Sequence, residues 1–535
     1  MRQQESNMAT PSTKKSAAAL APSPTAVPLS KGSTSEQIAS THTEELVIAL
    51  CGPIGSPLHS VAEEIQRMIK DTFGYDKAEI IRLSDFISEH ADRVQVEIPA
   101  NDSFERISSQ IDAGNKLREQ FGLSILAELA VEKIRFEREE FKQEHNAPKY
   151  VPRRICHIID SVKNKEELAM LKLVYRDMLY VVGVFSPLSV REANIAQRNQ
   201  LTSGDVHTLI DRDSGEESKA GQTVSDTFPQ SDFFLRIDRA TDSETQKRVE
   251  RFLHLILGTK VITPTSAESA MYAAAMASAS SGCLSRQVGA AVTDANEHIL
   301  SIGWNDVPKF GGGLYLEGAD DSRCWNHGGG KCFNDEEKQF FANELVEALK
   351  DIIPPGSKAS AKALLRKSGK LGGLIEFSRA IHAEMHAILS AGRVAGDKLV
   401  GGKIFVTTYP CHSCARHIIA AGITEVYYIE PYRKSLAVKL HGDAISELEL
   451  DSKKVRVLAY DGVAPSKFLS LFRVAANSRK ASGKLIRVEL KQAMPRIEKS
   501  LESLPSREAI VVQSLMEKKL LPQDGQNEQN PSTSA

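Results

Sequence analysis

Two short runs hold the residues best suited to chemistry. "HAEMHAIL" (382–389) sets a histidine two places before a glutamate, and "YPCHSCARHII" (409–419) sets two cysteines three apart directly after a proline. His382, Cys411 and Cys414 are ligands of the kind Zn2+ prefers, and three of them leave one tetrahedral position for water. Glu384 is off the ligand positions yet close enough in sequence to reach that water. A metal that lowers the pKa of water, beside a carboxylate that moves protons, is what hydrolytic removal of an amine requires. Two other arrangements use some of the same residues: a closed zinc knuckle completed by His386 or His412, and a C-x-x-C redox pair. Neither has a use for Glu384, and a redox pair needs no distant H-A-E run. H-x-E followed by P-C-x-x-C is the pattern of zinc nucleobase deaminases, in which the Glu is not a ligand.

Elements of defined type must carry these groups. Cys411 and Cys414, at i and i+3, begin a helix, so both thiols face one way and the helix N-terminus favours thiolate. His382 begins a second helix. The strand "KIFVTT" precedes the cysteines and "EVYYIE" follows them. Upstream, the Ala/Ser-rich "SAESAMYAAAMASASSG" reads as a helix, and "QVGAAVTD" and "HILSIGWND" as strands joined by a turn at Ala295–Asn296.

The run "SRQVGAAVTDANEHILSIGWNDVP", then "HAEMHAIL", then "VTTYPCHSCARHIIAAGITEVYYIEPY" resembles the deoxycytidylate deaminases over about residues 265 to 450. The resemblance implies a cytidine-deaminase-like three-layer α/β/α domain, with Glu384 catalytic and Zn2+ on His382, Cys411 and Cys414. It further implies that Asn305, in a G-x-N-x-x-P turn, holds the sugar of a deoxycytidine nucleotide and that Arg286 meets its phosphate. This chain departs from the family at His386, where many members carry Asn, and in a long Gly-rich insertion at 310–335. The insertion holds Cys324, His327 and Cys332, read here as free thiols in a loop rather than a second zinc set.

The first half is organised differently. "ELVIALCGPIGSP" followed by "HSVAEEIQRMIKDTF" is strand, loop, helix, and "RRICHIID" and "MLYVVGVF" are further buried strands separated by a helix. A helical pattern also covers "GNKLREQFGLSILAELAVEKIRFEREEFKQ". Such alternation implies a parallel sheet with helices on both faces. "CGPIGSPLHS" (51–60) begins like a phosphate-binding loop at Gly52 and Gly55, but Pro57, Leu58 and His59 stand where Gly, Lys and Ser/Thr belong. The lost lysine and the proline's missing N–H argue against phosphoryl transfer. A regulatory nucleotide pocket and a purely structural domain both remain open. With Asp160 ending its strand, residues 43–258 resemble the P-loop nucleotide kinases, and the pairing of such a domain with 259–480 resembles the bacterial anti-phage dCTP deaminases. That resemblance implies depletion of dCTP during infection, restraint beforehand by a nucleotide or an antitoxin RNA, and a homo-oligomer. Housekeeping dCMP deamination shares the chemistry but leaves the first domain without a role.

Residues 1–42 and 521–535 read as disordered tails, 481–520 as a helical extension, and the polar 200–230 stretch as a lid, linker or mobile insertion. The net charge of -2 and 6% aromatic content offer little for gripping and stacking a polynucleotide. Seven cysteines in 535 residues are no disulfide framework, and no apolar run matches a signal peptide or a membrane span. The expected location is cytoplasmic.

Overall fold

The computed structural model describes residues 42–101, 104–146, 153–199, 201–213, 220–238, 242–318, 320–367, 373–431, 435–474, 479–497, 515–516 and 518–520. The expected tail 1–42, but for its last residue, and the tail 521–535 lie outside them. The chain is mixed α/β, built on two six-stranded sheets.

The first sheet uses β1 (Leu46–Cys51), β2 (Lys77–Arg82), β3 (Ile155–Asp160), β4 (Leu179–Phe185) and β5 (Phe233–Arg236). These five are parallel, in the order β5-β4-β1-β3-β2. β1 is buried at every residue because both faces are covered. Leu46, Ile48 and Leu50 pack toward the Leu58–Asp71 helix, while Val47, Ala49 and Cys51 pack toward the Ile125–Glu144 helix. The long helical pattern of 114–143 is realised as two helices, Phe104–Phe121 and Ile125–Glu144, broken where Gly122 takes φ +111°.

The second sheet contains β6 (Gly289–Thr293), β7 (Ile299–Trp304), β8 (Lys403–Thr408), β9 (Glu425–Glu430), β10 (Ile445–Ser446) and β11 (Val455–Ala459), in the order β10-β11-β9-β8-β6-β7. β6 runs antiparallel to both its neighbours, and the rest are parallel. Along β6 the alternation of period two sends Ala290 and Val292 toward the Ala383–Ala395 helix and Ala291 toward the Ser266–Ser278 helix. This gives the three layers the sequence implied.

The two halves are tied together. β12 (Gly462–Val463) leaves the second half and joins the edge of the first sheet, antiparallel to β5. Glu268 serves twice. It closes a capping box with Thr265 at the start of the Ser266–Ser278 helix, and its carboxylate accepts from both Arg251 guanidinium nitrogens at 2.8 Å and from the Val463 N–H at 3.0 Å.

The 200–230 stretch, expected as a lid, linker or mobile insertion, contains a helix, Ser203–Asp213, that buries Val206, Leu209 and Ile210 at helical spacing. Within 481–520, expected as a helical extension, the described residues up to 497 instead join a small antiparallel pair (480–481 with 484–485) and form a 3-10 turn at Leu490–Gln492. Most of the remainder of 481–520 lies outside the described residues. Among the described residues no helix is long and apolar enough to cross a membrane.

Candidate metal centre

His382 is the N-cap of the Ala383–Ala395 helix, with extended backbone angles, and its ring makes no capping bond. The imidazole is therefore available to turn toward the neighbouring helix. That helix, His412–Ala420, has Cys411 at its N-cap, and the Cys411 sulfur accepts from the Cys414 N–H at 3.4 Å. His382 Nδ1 stands 3.4 Å from Cys411 Sγ and 3.3 Å from Cys414 Sγ. A tetrahedral zinc with ordinary Zn–N and Zn–S bonds spaces such atoms by about 3.6 Å, so the three residues fit the ion nearly as they stand. Both helices present N-termini here, which favours thiolate. Cys411 is pulled down to about 4, first by the Cys414 thiol that donates to it and then by His382.

Sequence packs the site helix close. Ala383, Ala387 and Ala391, four apart, are fully buried against the sheet. Gly303 on β7 completes the approach: a Cβ there would lie 2.5 Å from the Ala383 carbonyl oxygen and the Ala387 nitrogen. Gly303→Ala must therefore push back the turn that carries His382 and Glu384. We expect a loss of about 1–3 kcal/mol in denaturant melts and a larger proportional loss of turnover than of zinc content. Unchanged melting and turnover would contradict the packing argument.

Glu384 is buried in the first turn of the same helix, and burial pushes its carboxyl up, with His382 opposing. It does not belong to the group of ligand atoms lying within 4.8 Å of one another, which consists of His382, Cys411 and Cys414. The two candidate fourth ligands are engaged elsewhere. His386 Nδ1 accepts from the Trp304 N–H at 3.2 Å, its ring edge-on to the indole. His412 pairs with Glu376 at 3.7 Å. The closed-knuckle arrangement is not found among the described residues.

A cavity of about 600 Å3 opens over His382, Glu384 and Cys411. Asn305 and Arg286, both anticipated from sequence, line it, though each is already engaged. The Asn305 carbonyl accepts from the Val288 N–H at 2.7 Å and its amide donates to the Arg286 carbonyl at 2.8 Å, so it clamps the 286–288 turn. The Arg286 guanidinium pairs with Glu430. Sequence reasoning missed Asn334 and Lys338, which face the cavity from the Phe333–Ala348 helix, and Tyr409. Their i, i+4 spacing shows that Asn334 and Lys338 share a face, but only the path of the Gly-rich insertion brings that face here. Of the insertion's own candidates, Cys324 and Cys332 meet Cys283 in a small neighbouring cavity, whereas the His327 ring lies beside Phe333.

Gly52 and Gly55 lie far from this centre in sequence, in the loop after β1. A Cβ on Gly52 would fall 2.1 Å from the Val184 carbonyl oxygen, and Gly55 holds φ +85° against Arg191. The loop's Ile54 N–H donates to the Asp213 carboxylate at 2.7 Å, and Lys163 Nζ donates to the same carboxylate at 2.8 Å and to the Gly52 carbonyl at 2.9 Å.

Residues 264–430 match the family model for the cytidine and deoxycytidylate deaminase zinc-binding region. ComE operon protein 2 of Bacillus subtilis (strain 168) is 43% identical over 79 residues, 14% of this chain and 41% of that protein. The deoxycytidylate deaminase of Enterobacteria phage T4 is 29% identical over 172 residues, 32% of this chain and 80% of that enzyme. The chain thus spans less than half of the first relative's length. The crystal structure of dCMP deaminase from cyanophage S-TIM5 in complex with dCMP and dUMP aligns at 22% identity and a TM-score of 0.22, over 37% of this chain and 99% of that one. The second half of this chain carries a zinc-binding region of the deaminase kind, and its His/Cys/Cys group fits that metal.

Proposed function

We propose that the chain hydrolytically deaminates deoxycytidine nucleotides, dCTP and/or dCMP, to the corresponding deoxyuridine nucleotides and ammonia. The observation that carries this reading is Glu384, buried beside a three-ligand zinc group to which it does not belong. Zinc, when bound by His382, Cys411 and Cys414, supplies the acidity that brings the pKa of a water toward neutrality. Glu384 takes a proton from the water whose oxygen attacks C4 of the base, and delivers it to N3. It then carries the remaining hydroxyl proton to the exocyclic amine, which leaves as ammonia while C4 becomes a carbonyl. The buried wall around Glu384 keeps bulk water from competing for those protons. Asn305 fixes the 286–288 turn at the cavity and would hold the sugar, and Arg286, which also lines the cavity, would meet the phosphate.

The reading extends to defence against phage by depletion of dCTP. Supporting it is the presence of a second large domain whose five parallel strands run in the order 2-3-1-4-5, fused to the zinc half. Restraint before infection, by a nucleotide or an antitoxin RNA, and assembly into a homo-oligomer belong to the same reading. In infected cells the wild-type chain should lower the dCTP pool by about tenfold or more within the infection cycle, while Glu384→Gln leaves it as in cells without the protein. A dCTP pool that falls equally with both would remove the enzyme from the defence. Housekeeping supply of dUMP predicts a steady conversion independent of infection.

A further inference from the structure

We infer that the cavity between the two halves of the chain is a regulatory site for a nucleoside without its phosphates. This deepens the deaminase reading and rests on it only for the activity readout. The cavity measures about 400 Å3, within the ordinary range of small-molecule sites. One wall is made where β1, β4 and β5 end, by Pro53, Phe185, Leu188 and Arg236. In open parallel sheets this carboxyl edge, where strand order reverses, is where ligands settle. The other wall belongs to the zinc half and includes Tyr409, Tyr428, Val438 and Glu447.

The lining specifies the ligand's chemistry. Phe185, Phe228 and Tyr428 offer aromatic surface for a base. Glu447, which accepts from the Tyr409 hydroxyl, has further acceptor capacity for sugar hydroxyls or ring N–H groups. Phosphate is opposed in three ways. Asp211, Asp213, Asp238 and Glu447 put four carboxylates on the wall against Arg191, Arg236 and His207, with Asp213 paired to Lys163 at 2.8 Å, and Arg236 is already held by Asp238 at 2.8 Å and Glu449 at 2.5 Å. The loop amide that would meet a phosphate, Ile54 N–H, is taken by Asp213. At the place where a phosphate-binding loop carries Ser or Thr, His59 stands 3.2 Å from Asp160. The kinase-like cradle is filled by its own side chains, and the space beyond it is left for the base and sugar.

Tyr409 connects this cavity to the zinc centre, because it lines both. It directly precedes Pro410 and the ligand Cys411. Its hydroxyl donates to Glu447 at 2.9 Å and its N–H to the Glu430 carbonyl at 2.8 Å. Glu430 is also the partner of Arg286 in the substrate cavity. An occupant that competes for Glu447 or presses on the Tyr409 ring therefore acts two positions from a metal ligand.

The test is calorimetric titration of zinc-loaded, full-length Glu384→Gln protein with deoxyadenosine, deoxyguanosine and thymidine, and with their 5′-triphosphates. The expected result is that at least one nucleoside binds once per chain, about tenfold or more tighter than its triphosphate. Leu188→Trp and Val438→Trp fill the cavity from opposite walls. Each should weaken that binding by about tenfold or more, with unchanged thermal melts. In the protein with Glu384 intact, the same nucleoside should shift kcat/KM for deamination, and the two tryptophan variants should abolish the shift while keeping basal turnover. No nucleoside binding at millimolar concentration, tighter binding of the triphosphates, or binding indifferent to both tryptophans overturns the proposal. Binding without any deamination by the Glu384 protein would instead refute the deaminase reading and leave the site standing.

Discussion

Glu384→Gln gives a protein that keeps its zinc and its melting temperature and loses turnover by about 10^2–10^4-fold or more. The substitution preserves volume and a carbonyl oxygen, so the buried first turn of the Ala383–Ala395 helix has no reason to rearrange. Because Glu384 stands outside the ligand group, metal affinity should not depend on it. What the amide lacks is the capacity to accept a proton from water and hand it on, and the proposed reaction uses that capacity twice. The measurement is zinc content by atomic emission beside a steady-state assay of ammonia release. A variant that loses zinc in step with activity would make Glu384 a ligand. One that retains turnover would remove it from the chemistry.

Cys411→Ala should act in the opposite order, with zinc falling from about one per chain to about none and activity following. Two ligands cannot hold the ion against competing water. The change also removes the sulfur that accepts from the Cys414 N–H at the start of the His412–Ala420 helix and strands the His382 ring in a buried cluster. Treatment of the wild-type protein with a chelator should reproduce the loss of activity and be reversed by added zinc, whereas the variant should not recover. Stoichiometric zinc persisting in the variant would contradict a single-site account and direct attention to the cluster of Cys283, Cys324 and Cys332.

The zinc centre was legible in sequence because its chemistry is local to two helix starts. Caps and i, i+3 spacing determine where Cys411 and Cys414 point, and the two-residue step from His382 to Glu384 leaves the carboxylate outside the ligand group within one turn. The alternating strands and helices of the first half were legible for the same reason, since burial on both faces leaves continuous apolar runs such as Leu46–Leu50. The Ser203–Asp213 helix is hard to read in sequence although Val206, Leu209 and Ile210 carry its period, because a strongly polar background hides three apolar residues. Its last residue, Asp213, proved the most consequential for the loop at Gly52 and Gly55, and no motif could have announced that a carboxylate 159 positions away would occupy it. Tyr409, Asn334 and Lys338 depend on how separate segments meet in space. The roles of Asn305 and Arg286 were expected to be direct. In the structure both line the cavity over His382 and Glu384 and each has an internal partner, Asn305 in the 286–288 turn and Arg286 in Glu430.

The most direct measurement is chromatography of products after zinc-loaded protein is incubated with a mixture of cytidine and deoxycytidine mono- and triphosphates. The account predicts that dUTP or dUMP accumulates with an equal amount of ammonia, that the ribonucleotides are spared, and that Glu384→Gln forms neither product. Intact deoxycytidine nucleotides after prolonged incubation with the zinc-loaded protein would contradict it.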